Sequence, residues 1–212
     1  MTNYRIYKHK YETDMLQYNL TIGASDEYSF GELAQMAIEG GCRWIQVSDP
    51  DKAGPDVLRN EISGIIDLCK ESSVILTVVD NIDLAKDLGI HGVRLTADAG
   101  RSAASVREEF GPEAIIGADV SSAAAIGMLA AQDIDYAVLT TDIPAAERSI
   151  IISQAHETGC RLPIVIAGDL TPDTALEEVA AGASGVCLGA YISRAKDPIA
   201  ATQDVITAIT SL

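Results

Sequence analysis

The sequence predicts an α/β protein folded as a single-domain (β/α)8 barrel, the TIM-barrel architecture, and three observations predict it. Eight short β-rich runs alternate with longer helical stretches from one end of the chain to the other, the pattern of parallel βαβ units. Their starts recur roughly every 24 residues, which leaves room for a strand, a helix and only short loops. No composition break or Ser/Pro-rich linker interrupts the 212 residues, a length that one barrel can use. The competing arrangement is an open, doubly wound sheet.

Residues 1–17 read as a leader segment ahead of the first strand, and 18–212 as the barrel. The first strand is expected at 18–22. Ser29-Phe30-Gly31-Glu32 then has capping-box spacing, and Gly40-Gly41 ends that helix before the second strand at 44–47. Gly54-Pro55 opens the second helix, because a proline at the first helical position loses no hydrogen bond. The third strand follows at 74–79, and Gly89 stops the next helix ahead of the fourth at 92–95. The fifth and sixth lie at 115–118 and 136–139. Gly159 precedes the seventh at 164–167; Thr171-Pro172 starts another helix, and Gly182 ends it before the eighth at 185–188.

Fifteen basic residues stand against 31 acidic ones, a formal net charge of −16. Such a chain repels nucleic-acid phosphates and anionic lipid, so neither nucleic acid nor membrane is expected as a partner. No apolar stretch nears the roughly 20 residues needed to span a bilayer. The N-terminus lacks the basic-then-apolar layout of a secretion signal, which predicts a cytoplasmic location. Cys42, Cys69, Cys160 and Cys187 are scattered without a C-x-x-C pair and are expected as reduced core thiols. Oligomeric state is left open, a homo-oligomer included.

In a barrel, ligands bind where the strands end, so the residues after each run carry the chemistry. Asp26, Asp49, Asp80, Asp98, Asp119, Asp142 and Asp169 each follow a different strand. Helix capping is the ordinary use of such an aspartate. Any that do not cap would converge as a site for a hard cation, with Asp80 and Asp98, on neighbouring strands, the best-placed pair for Mg2+. Cations on this face are few: Lys52, Arg94 and Arg148. Arg94 alternates with Val93 and Leu95, so it points into the barrel and needs either a carboxylate partner or an anionic ligand. Lys52 reads as a loop lysine and Arg148 as a helix-surface residue. His9, His91 and His156 do not cluster, and no lysine follows the sixth strand, which argues against Schiff-base chemistry there. Gly168 and Gly189 follow strands seven and eight, where barrels commonly cradle a phosphate against backbone N–H groups.

Several segments carry a resemblance: Gly40-Gly41-Cys42-Arg43-Trp44-Ile45-Gln46, Val79-Asp80-Asn81-Ile82-Asp83-Leu84-Ala85, Gly92-Val93-Arg94-Leu95, Ile115-Ile116-Gly117, Ile164-Val165-Ile166-Ala167-Gly168 and Ala180-Ala181-Gly182-Ala183-Ser184-Gly185-Val186. In order and spacing they resemble the thiamine phosphate synthase family, which also contains the TenI-type thiazole tautomerases. The resemblance implies a transferase of thiamine biosynthesis that joins a pyrimidine diphosphate to a thiazole phosphate with Mg2+. It implies Gln46 at the pyrimidine diphosphate, Lys52 as the catalytic cation, Asp80 and Asp98 as metal ligands, and Gly168 and Gly189 around the thiazole phosphate. Ser48, Arg94, Asp119, Thr140, Asp169 and Ala190 fall at substrate-binding positions by the same resemblance.

The chain also departs from the family. Where the family has glutamine, arginine and lysine on alternate positions of strand two, this chain has Gln46, Ser48 and Pro50, with Lys52 displaced by two. Val79 replaces an asparagine, and Asp98 is offset by one position. Thr140-Thr141-Asp142-Ile143-Pro144 lacks the family's lysine after strand six, Asp169 adds a negative charge beside Gly168, and Asp119-Val120-Ser121-Ser122 lacks the tautomerase histidine. The alternative expectation is therefore a divergent member without synthase activity, binding a phosphorylated small molecule or a metal at an acidic mouth.

Overall fold

The computed structural model describes residues 15–212. Along the chain run β1 (Met15–Thr21), α1 (Phe30–Glu39), β2 (Trp44–Ser48), α2 (Pro55–Glu71), β3 (Ile75–Val79), α3 (Ile82–Leu88), β4 (Gly92–Leu95) and α4 (Ala103–Phe110). They continue as β5 (Ile115–Asp119), α5 (Ala123–Ala131), β6 (Tyr136–Thr140), α6 (Ala145–Glu157), β7 (Ile164–Ala167), α7 (Pro172–Ala180), β8 (Gly185–Leu188), α8 (Ala190–Ser193) and α9 (Pro198–Ile209). The eight strands pair in parallel in sequence order, and β1 pairs with β8 to close the barrel. The open-sheet alternative is thereby excluded.

All eight expected strands are present. The one substantial shift is at β1, which starts at Met15 because Met15 to Tyr18 pair with Gly185 to Leu188 and make the closing seam. Residues 15–17 of the expected leader thus belong to the barrel, while 1–14, with His9, lie outside the described residues. Gln17 disguised the strand in the sequence, since it is polar yet completely buried.

The helix punctuation works as its chemistry requires. Ser29 Oγ accepts the Glu32 amide while the Glu32 carboxylate takes the Ser29 amide, a closed capping box. Thr171 and Thr174 make the equivalent arrangement at α7, and Gly54 precedes Pro55 at α2. The buried face of α1, Phe30, Leu33, Ala34 and Ala37, has the three-and-four spacing of an amphipathic helix.

Alternation along each strand creates two cores. Outward residues such as Ile45, Val47, Val93, Ile116, Leu139 and Val186 join the helices in the larger one. Inward residues Trp44, Ile75, Ile115, Tyr136, Val138, Val165, Ala167 and Cys187 fill the barrel itself. Trp44 meets Tyr136 edge-on with ring centroids 5.4 Å apart, and its indole N–H donates to Thr77 Oγ1 at 3.0 Å. Gly117 on β5 makes this packing fit, since a Cβ there would collide with the Tyr136 ring. The apolar plug leaves the inward positions nearer the strand ends, Asn19, Gln46, Arg94 and Asp119, to set the chemistry of the mouth.

Candidate active site

None of the seven mouth aspartates caps a helix. The N-cap positions of α1 to α8 hold Ser29, Gly54, Asn81, Ser102, Ser122, Pro144, Thr171 and Gly189, and the one capping aspartate is Asp197, at the start of α9. Hydroxyl groups cap α1, α4, α5 and α7, and α2, α3, α6 and α8 start without a side-chain cap, so the seven carboxylates are left for other partners.

The ends of β2, β3 and β4 surround a cavity of about 530 Å³ lined by Ser48, Asp49, Lys52, Asp80, Thr96 and Asp98 among others. Asp49 shapes its rim: Oδ1 accepts the Ala53 amide at 2.9 Å and Oδ2 the Gly54 amide at 3.4 Å, folding a loop on which Lys52 sits at a left-handed φ of 53°. Lys52 is exposed there. Asp80, also left-handed at φ 58°, is held by one residue of the next loop. Thr96 N–H donates to its Oδ1 at 2.8 Å and Thr96 Oγ1 to its Oδ2 at 2.5 Å, while the Asp98 amide donates back to Thr96 Oγ1 at 3.2 Å. Thr96 therefore ties the two predicted metal ligands together.

A second cavity, about 400 Å³, opens among the ends of β1, β4, β6, β7 and β8. Thr140, Thr141, Asp142, Gly168, Asp169, Gly189 and Ala190 line it, with Arg94 and Cys187, and Arg194 beyond β8. Thr140 Oγ1 donates to Asp142 at 3.2 Å. Asp169 is exposed, and Thr171 does the capping that would have engaged it. Gly168 has φ 153° and no room for a side chain against Thr141, but its own amide donates to the Cys187 carbonyl at 3.0 Å. Its missing side chain makes room for Thr141, and its N–H is not free. Gly189 likewise lies where a Cβ would strike the Asn19 carbonyl.

Arg94 stands inside the barrel and makes a two-point pair with Asp119, Nε to Oδ1 at 2.8 Å and Nη2 to Oδ2 at 3.1 Å. Burial works against its charge, yet the Asp119 carboxylate more than offsets this and holds the guanidinium protonated well above its ordinary range. The carboxylate partner, one of the two options the sequence left open, is the one observed. The neighbouring Cys187 thiol is pushed up to about 11 by burial, so it stays protonated.

Gln46 is fully buried and lines neither cavity. Its Nε2 donates to Asn19 Oδ1 at 3.2 Å and to Cys187 Sγ at 3.3 Å, whereas its Oε1 has no hydrogen-bond partner. Ser48 Oγ donates to the same Asn19 oxygen at 3.0 Å.

Arg148 is a correction. It is not a helix-surface residue but is 5% exposed, paired with Glu178 of α7 and donating to the Ile143 carbonyl. It braces the loop after β6 from behind the mouth. His156 is exposed on α6, and His91 accepts the Leu76 amide through Nδ1 at 2.8 Å, so neither enters the site. Cys42, Cys69 and Cys187 are buried as expected, and Cys160 is half-buried. No helix among the described residues is long and apolar enough to cross a membrane.

Asn19, Thr96 and Arg194 were missed from sequence. Arg194 had a usable signal, being a cation in a cation-poor chain only six residues beyond β8. Asn19 and Thr96 matter through partners 27 and 16 residues away, which spacing does not reveal.

A family model described as thiamine monophosphate synthase (TMP-TENI) matches residues 18–192. The thiamine-phosphate synthase of Phocaeicola vulgatus is 32% identical over 195 residues, covering 86% of this chain and 92% of that protein. That of Bacteroides fragilis is 27% identical over 204 residues, covering 91% and 99%. Among solved structures, a thiamine phosphate pyrophosphorylase from Pyrococcus furiosus superposes with a TM-score of 0.79 at 23% identity, covering 94% of this chain and 98% of that one, a likeness of fold.

Proposed function

We propose that this chain, which belongs to the thiamine monophosphate synthase family, is a transferase that couples a pyrimidine diphosphate to a thiazole phosphate to form thiamine phosphate. The C–O bond from the pyrimidine methylene to the diphosphate breaks, pyrophosphate leaves with the electron pair, and the thiazole nitrogen supplies the pair for the new C–N bond. One observation carries the reading: the mouth holds two cavities of different character, one with Lys52 and three non-capping carboxylates, of which Asp49 is engaged by its own loop, the other with the glycine loops and Thr140.

The β2–β4 cavity is suited to the diphosphate. No group of three or more His, Cys, Asp or Glu side chains among the described residues is placed to hold a metal alone. Two carboxylates in one cavity fit Mg2+ nonetheless, because this ion commonly takes one or two protein carboxylates and completes its shell with phosphate oxygens and water. Asp80 and Asp98 would hold it, and when bound it neutralises charge on the departing diphosphate. Lys52, set by the Asp49 loop, would add a positive charge along that group. Ser48 offers a hydroxyl on the same side.

The β6–β8 cavity would take the thiazole phosphate, with Gly168, Gly189 and Ala190 in its lining and Thr140 offering a hydroxyl. Asp169 and Asp142 would repel an anion, which pushes the phosphate toward the β8 side. Arg94 and Asp119 form the partition between the substrates. No observation favours a binding barrel without synthase chemistry.

The test is direct. Purified protein given both substrates and Mg2+ should release equal amounts of thiamine phosphate and pyrophosphate. Asp80→Asn should lower kcat/KM by about 100-fold or more while leaving the melting temperature within a few degrees. Absence of product with both substrates saturating would overturn the reading.

A further inference from the structure

We infer that Arg194 is the residue that grips the phosphate of the second substrate; this deepens the synthase reading above and rests on it for the identity of that substrate. The argument begins with the shortage of positive charge. The loop after β6 carries no lysine, and among the residues lining the β6–β8 cavity the cations are Arg94 and Arg194. Arg94 has both its Nε and its Nη2 engaged by Asp119, whose negative charge cancels its own. Arg194 makes no side-chain hydrogen bond or ion pair to any described residue, and its guanidinium is exposed at the cavity.

The acids sharpen this placement. Asp142 and Asp169 belong to the loops after β6 and β7, so a phosphate entering the cavity is repelled from that side. The β8 side is the one where an uncompensated cation waits. A planar guanidinium with several donors suits the oxygens of a phosphate monoester.

The root of the side chain is fixed, which is what a ligand-gripping arginine needs. Ile192 and Ser193 amides both donate to the Gly189 carbonyl, at 3.0 and 2.9 Å, and the Arg194 amide donates to Ala190 at 3.1 Å. The turn is pinned to β1 by the buried bond between Ser193 Oγ and Tyr18 Oη at 2.8 Å. The long side chain itself is exposed, so its rotamer entropy is what binding must overcome.

Calorimetric titration of the unmodified protein and of Arg194→Gln, with thiazole phosphate and with the same thiazole lacking its phosphate, tests the inference. The unmodified protein should bind the phosphorylated form at least about 10-fold more tightly, the size expected for hydrogen bonds to a charged group. Arg194→Gln should lose that preference, raise KM for thiazole phosphate by about 10-fold with kcat within twofold, and leave KM for the pyrimidine diphosphate unchanged. Arg194→Lys should recover part of the affinity. An Arg194→Gln protein that still prefers the phosphorylated thiazole overturns the inference. The two failures are separable. Product formation that is indifferent to Arg194→Gln sinks this assignment alone, whereas lost phosphate preference in a chain that makes no product sinks the synthase reading and leaves Arg194 as an anion-binding residue.

Discussion

The two halves of the mouth are built from the same unit, strand then loop then helix, yet they hold opposite kinds of group. In the β2–β4 half Thr96 bonds the Asp80 carboxylate and the Asp98 amide, and the exposed Lys52 stands on a loop folded by Asp49. In the β6–β8 half two glycines let the loops pack closely, and Arg194 has no ion-pair partner among the described residues. Arg94, which also lines the β6–β8 half, is neutralised by Asp119. A ring that reads as uniformly negative along the chain is therefore sorted in space. The lesson concerns net charge: a chain at −16 can still offer local sites for phosphate, because what a ligand meets is the uncompensated charge within a few ångströms.

The sharpest way to break this division is to remove its partition. Arg94→Met strands the Asp119 carboxylate, whose side chain is only 18% exposed, and should cost about 3–5 kcal/mol. For a chain of this size that lowers the melting temperature by roughly 10 °C. Arg94→Met with Asp119→Leu should regain most of the loss, since an apolar pair leaves no uncompensated charge. A single variant that melts like the unmodified protein would show that the pair is not what separates the halves.

A smaller effect should come from Thr96→Val, which removes the hydroxyl between Asp80 and Asp98 while keeping the shape. Loss of such an outer partner typically weakens metal affinity about 10- to 100-fold. Measured as the Mg2+ dependence of thermal stabilisation, the curve should move to higher concentration, while thiazole phosphate binding in the other half stays as it was. Coupled loss in both halves would contradict their independence.

The smallest effect should come from the far end of the barrel. Burial holds the His91 imidazole below its ordinary 6.5, and its unprotonated Nδ1 accepts the Leu76 amide. A depressed folded-state value means that the unfolded chain binds more protons, so this contribution is present above about pH 6.5 and is lost as pH falls. His91→Gln should flatten the fall in stability below pH 6.5, followed by denaturant unfolding at several pH values. Both halves of the mouth should keep their ligand affinities.

Much of the site was legible in advance as a set of positions. Asp80, Asp98, Lys52, Ser48, Thr140, Gly168 and Gly189 do line the mouth, because in a barrel the residue after a strand has nowhere else to go. The role of each was far less legible. Capping looked like the natural employment for the aspartates, and serine or threonine took it instead in the loops that hold Asp26, Asp98, Asp119 and Asp169. Arg148 read as a helix-surface residue, but Glu178, 30 residues later, makes its burial tolerable.

By itself the sequence determined the number and order of strands, the starts of α1, α2 and α7, and the direction in which Arg94 points. These depend on interactions spanning a few residues: the period-two alternation of a strand, a hydroxyl reaching the third amide, a proline or glycine restricting one dihedral angle. Only the tertiary structure decided that Asp119 answers Arg94, that Thr96 gathers Asp80 and Asp98, and that Arg194 has no side-chain partner among the described residues. Those outcomes depend on which loops meet when the ring closes, and pairwise electrostatics falls off too steeply with distance for separation along the chain to foretell it.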